Sequence, residues 1–169
     1  MLWFKSWEIL MNQDYINIIK FYGSDILNSK NMEKQKEYIQ HGDISVYEHS
    51  LRVAYLSIKI VSKFHLRVNM RSLIRGALLH DYFLYDWHIK DKSHRLHGFT
   101  HPKTAYKNAK KEFKLNDIEK DIITKHMFPL VIIPPVYLES YIVTIADKIS
   151  ATKETFVHSN IKLEELCSL

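Results

Sequence analysis

The chain is poor in the residues that cross-link or punctuate a fold. Its 169 residues include 1 cysteine, 4 glycines and 4 prolines. The single Cys167 excludes an internal disulfide framework and fits a reducing compartment. So few glycines and prolines argue against a turn-rich β sandwich. No apolar run is long enough to span a bilayer; the nearest, residues 130–138, contains Pro134 and Pro135. The first residues are apolar but broken by Lys5 and Glu8, and lack the uncharged core and cleavage site of a signal peptide. No repeat, low-complexity tract or linker is visible. A soluble, cytoplasmic, single-domain protein is expected, with residues 1–40 as an N-terminal helical extension and 46–156 as its core. The formal charge of +5 is spread along the sequence. It suits an anionic substrate, without the concentrated basic stripe of a nucleic-acid partner, and no membrane partner is expected.

What is present is helical periodicity, and the expected fold class is all-α, a helical bundle. Residues 3–36 read as one or two helices with a break at Gly23-Ser24-Asp25, then a polar connector from Ser29. Ser45 followed by Glu48 is a capping-box pattern, so a helix starts near Val46, with His49, Val53, Leu56 and Ile60 as its stripe. A helix over about 69–79 delivers His80-Asp81. Residues 90–95 read as a charged loop. Pro102 places the start of the next helix near itself, with His101, Ala105 and Ala109 in line and His97 on the loop before. Asn116 and Glu119 open a helix whose stripe is Ile118, Ile122 and His126. The last helix, about 137–156, carries Ile142, Ile145 and Ile149 on one face. On its other face Asp147 lies among Ser140, Val143, Thr144, Ser150 and Ala151.

His49, His80, Asp81, His101, His126 and Asp147 thus arrive on core-facing stripes or at their ends. A core gains nothing from so many desolvated polar groups, whereas a metal centre accounts for all of them. Neutral imidazole and carboxylate, with no thiolate at hand, suit Fe, Mn, Ni, Co or Zn.

The pattern resembles the HD-domain metal-dependent phosphohydrolases over roughly 46–154. The carriers are His49 in Glu-His-Ser-Leu-Arg-Val-Ala, the His80-Asp81 doublet after Gly-Ala-Leu-Leu, and Asp147 in Ile-Ala-Asp-Lys. His101 and His126 match the extra histidines of two-metal members. The sequence is similar to small bacterial HD hydrolases of dinucleotides such as diadenosine tetraphosphate. It departs from cyclic-dinucleotide phosphodiesterases, since Tyr82-Phe83-Leu84-Tyr85 stands where those have Gly-Lys after the doublet.

The resemblance implies two divalent ions, iron first, with Mn, Ni, Co, Mg or Zn as options. It implies Asp81 as bridge and catalytic residue, His49, His80 and Asp147 on one ion, and His101 and His126 on the other. The implied substrate is a small phosphorylated compound, a nucleotide or dinucleotide, cleaved by a hydroxide between the ions. Lys148, Arg52, His97, His88, Arg95 and Lys125 are candidates to hold its phosphate, and Tyr82, Tyr85, Trp87 and Phe128 to stack on a base. A di-iron oxygenase of the HD type and a non-catalytic nucleotide sensor are the alternatives, and a homodimer is one option for assembly.

Overall fold

The computed structural model describes residues 2–88 and 96–156. In chain order these form α1 (Leu2–Leu27), α2 (Lys30–Lys34), β1 (Ile39–His41), β2 (Ile44–Ser45), α3 (Val46–Phe64), α4 (Met70–Leu79), α5 (His97–Glu112), α6 (Asp117–Lys125) and α7 (Leu138–Phe156). The architecture is all-α, with one small antiparallel hairpin, β1–β2, that the periodicity does not signal. The loop expected at 90–95, with Arg95, and the tail holding Cys167 lie outside the described residues.

Short-range chemistry sets the helix ends. Ser45 accepts the Glu48 N–H, and Glu48 accepts the Ser45 N–H, which closes the capping box of α3. His65 ends that helix in the left-handed region, at φ 51°. Asn69 accepts the Ser72 N–H at the start of α4, and Asn116 and Glu119 form the capping box of α6. Helix α4 then packs against α1, α3, α6 and α7, so it is the central element. Val53, Ala54, Ile58, Leu73, Ala77, Leu78, Val143 and Ala146 share one buried core. Gly76 lets α4 and α6 touch: a Cβ there would come within 2.9 Å of Ile122 Cβ and Cγ2.

Five expectations are corrected. Helix α1 runs unbroken through Gly23-Ser24-Asp25. A Cβ at Gly23 would meet Leu78 Cδ1, and Asp25 pairs with the buried Arg75. Ser29 opens the short helix α2, which buries Met32, so this stretch is not a plain polar connector. In α3 the deepest face is Val46, His49, Ser50, Val53, Ala54, Ser57, Ile58 and Val61, while Leu56 and Ile60 flank it half-buried. Helix α5 begins at His97, not near Pro102: Leu96 O accepts the N–H groups of Phe99 and Thr100, closing a turn ahead of the proline. Pro102 then costs that helix a single bond. The isoleucine face of α7 divides. Ile142 is 3% exposed, whereas Ile145 and Ile149 are 51% and 38% exposed, because α7 turns its small-residue side inward.

Candidate metal centre

Helices α3, α4, α5, α6 and α7 each bring a histidine or aspartate to one buried point. His49 lies in the first turns of α3, and Asp147 in α7. His80 is the C-cap of α4, with Asp81 next to it, and His126 is the C-cap of α6. His101 lies one turn into α5. They form two triads, His49/His80/Asp147 and Asp81/His101/His126, and within each the candidate ligand atoms lie within 4.8 Å of one another.

Each histidine has its Nδ1 anchored and its Nε2 turned to the centre. His80 Nδ1 donates to Ala77 O at 2.7 Å, His101 Nδ1 to His97 O at 2.8 Å and His126 Nδ1 to Ile123 O at 2.9 Å. His49 Nδ1 faces Glu154 Oε2 at 2.8 Å, and Ser150 Oγ donates to the other Glu154 oxygen. A carbonyl can only accept, so the Nδ1 atoms on carbonyls carry the hydrogens and the Nε2 atoms of the neutral rings are lone pairs. Such an outer partner fixes the tautomer and orientation of a metal-binding imidazole.

Asp81 joins the triads. Its Oδ2 lies 3.3 Å from His80 Nε2 and 3.8 Å from His49 Nε2, and its Oδ1 lies 3.2 Å from His101 Nε2 and 3.5 Å from His126 Nε2. Asp147 Oδ1 lies 3.1 Å from His49 Nε2 and 3.7 Å from His80 Nε2.

The donor set fits a cation. His101 Nε2 and His126 Nε2 are 2.8 Å apart, an unfavourable meeting of lone pairs unless a proton or cation lies between them. His80 Nε2 and Asp81 Oδ1 are buried without a hydrogen-bond partner. Protonation is uneven across the set. Burial lowers the His126 pKa to about 3, so its ring stays neutral. Burial also works against charge on His49, but Asp147 and Glu154 outweigh it and raise the pKa to about 9. His80 is likewise raised, against burial, by Asp81 and Asp147. Asp81 and Asp147 are held well below the usual carboxylate range, against burial, by His80 and His101 for the first and by His49 and His80 for the second.

The other candidates divide by place. Lys148 is at the rim: its Nζ donates to His126 O at 3.2 Å and lies 4.0 Å from Asp147 Oδ2. His97 is not in either triad but stacks on His101, ring centroids 4.6 Å apart, and its Nδ1 meets the Tyr85 hydroxyl at 2.9 Å. Trp87 stacks on the far side of this pair, 5.1 Å from His97. Arg52 acts on Glu154, whose pKa it helps to lower. His88 pairs with Asp86 at 3.2 Å, and Lys125 with Asp121 at 2.7 Å. Tyr82 is fully buried and gives its hydroxyl to Glu112, which takes it out of reach of a base.

Sequence reasoning missed Glu154, Gln35 and Gln40. Gln40 Nε2 donates to Asp81 Oδ2 at 2.7 Å and Gln35 Nε2 to Asp81 O at 2.9 Å. Glu154 had one usable signal, its place seven residues, about two helical turns, after Asp147 on the same face. The glutamines had none.

Among known families, the model of the HD domain matches residues 46–152. No curated protein and no solved structure matches the chain. With most of its length matched, and with buried histidine and aspartate groups able to hold divalent metal, the chain belongs to the HD-domain family, within the metal-dependent phosphohydrolase superfamily.

Proposed function

We propose that the chain hydrolyses a phosphoester or phosphoanhydride of a nucleotide or dinucleotide, with two divalent ions held by His49, His80 and Asp147 and by His101 and His126, and Asp81 between them. The observation that carries this reading is Asp81, with one carboxylate oxygen turned to each triad. When bound, two such ions lower the pKa of a water between them and offset charge on the phosphoryl group. The protein's part is to hold Asp81 ionised and to aim the imidazole Nε2 atoms inward. Iron is the cation we favour; manganese, nickel, cobalt, magnesium and zinc suit the same nitrogen and oxygen donors. Lys148, with its side chain 44% exposed at the rim, is the phosphate contact we favour. His97 is the second, because its ring continues the stack from His101.

The test is turnover of a panel of nucleotides, dinucleotides and simple phosphate esters by metal-stripped and reconstituted protein. Asp81→Asn is expected to lower kcat at least ~10²-fold, as loss of a central electrostatic group does, and a strong chelator is expected to abolish turnover. Full activity of Asp81→Asn, or in chelator, would overturn the reading. Turnover that stops when dioxygen is removed would replace it with the oxygenase alternative.

A further inference from the structure

Two glutamines ahead of the matched domain grip the same residue. Gln35 is the C-cap of α2 and Gln40 lies in β1, both before residue 46, where the family match begins. They hold Asp81 at its main chain and at its side chain, by the bonds already described. Both are buried, at 0% and 7% exposure, which removes them from competition by solvent.

The orientation of the Gln40 amide follows from chemistry. An ionised carboxylate has no hydrogen to give, so the atom 2.7 Å from Asp81 Oδ2 must be the N–H end. The amide oxygen is then left buried with no hydrogen-bond partner, an arrangement a fold rarely keeps. The N–H end is the one this position serves. The backbone around it is secured independently. Val46 N donates to Tyr38 O, and Ile39 pairs with Ser45 across the hairpin. The hairpin also rests against α3 and α7.

The grip is one-sided. Gln40 engages Oδ2, the oxygen turned to His49 and His80, and makes no bond to Oδ1, the oxygen turned to His101 and His126. We propose that Gln40 is a positioning residue that fixes the bridging carboxylate by its Oδ2, so that the hairpin preceding the domain sets cation affinity at the His49/His80/Asp147 triad in preference to the other. Outer partners of metal-binding side chains are worth about 10–100-fold in affinity, and the effect is expected mostly on one side.

The proposal rests on the two-cation reading, and the experiment separates the two. Mn2+ is titrated by calorimetry into metal-stripped, full-length protein in two backgrounds, His126→Ala, which leaves the His49/His80/Asp147 triad intact, and His49→Ala, which leaves the His101/His126 side. Adding Gln40→Met, which keeps the side-chain length and removes the amide, is expected to weaken Mn2+ binding ~10–100-fold in the first background and by less than about threefold in the second. Thermal unfolding of the metal-free variants provides the control for a merely structural role. If Gln40→Met does not fold, Gln40→Glu serves in its place. Ionised, it too lacks the N–H that holds Oδ2, and it is expected to change Mn2+ affinity in the first background and not in the second. Equal weakening in both backgrounds, or unchanged affinity in both, would overturn the assignment of Gln40. Failure of the unsubstituted protein to bind Mn2+ would instead overturn the metal-centre reading beneath it.

Discussion

At His49 a proton and a cation compete for one nitrogen. With its pKa raised to about 9, the ring is an imidazolium at neutral pH, giving hydrogens to Asp147 and Glu154. A metal ion at Nε2 requires that proton to leave. The sign follows: apparent metal affinity rises with pH up to about 9 and falls as the solution is acidified. The dependence approaches about tenfold per pH unit for each proton released. Calorimetric titration of a divalent ion at pH 7 in two buffers of different protonation enthalpy measures it. Different heats are expected, and identical heats would mean that no proton leaves. At this scale the ligand types were legible, because histidines and aspartates on stripes of aliphatic residues are chemically out of place. Gln35 and Gln40 were not, because an amide is unremarkable anywhere in a sequence. Their meaning comes from the end of α2 and the hairpin, which carry Gln35 and Gln40 to Asp81.

Helices α4 and α6 meet at Gly76. Helix propensity alone would reward Gly76→Ala by roughly 1 kcal/mol. The new methyl, however, meets Ile122 at Cβ and Cγ2, atoms close to the backbone that cannot swing away. Overpacking of this kind costs about 1–3 kcal/mol, so the substitution is expected to destabilise. Denaturant unfolding checks the sign, and a gain in stability would show that α6 can move aside. Helix starts were legible where a capping side chain opens a longer helix, as Ser45, Asn69 and Asn116 do, but not at Ser29, which caps the short α2. They were not legible where a residue serves a distant partner. Gly23 looks like a break and is a seat for Leu78, and Pro102 looks like a helix start but lies inside α5. The outward turn of Ile145 and Ile149 has the same origin: α7 must present Asp147 and Glu154 to His49, and its isoleucines follow from that rotation.

For the molecule as a whole, the centre ties α3, α4, α5, α6 and α7 together at one point, so cation binding and folding are linked. A divalent ion at a hundred times its Kd adds about 2.7 kcal/mol to the native state, or roughly 5–10 °C in Tm for a domain of this size. Calorimetric scans with and without chelator are expected to differ by that amount per ion; coincident scans would mean that no cation is held. The fold class was legible because helical periods fill the sequence. The convergence of the ligands on one point was only implied, since spacing along separate helices does not say how they cross. Two of those helices also meet the centre end-on. Both α4 and α6 finish there, with His80 and His126 as their last caps. The C-terminal end of a helix carries about half a negative charge. Both ends add to the negative charge of Asp81 and Asp147, so the two helices favour a cation over an anion at the centre. For the phosphorylated substrate proposed above, this sets an order of loading: cations first, the anion after them.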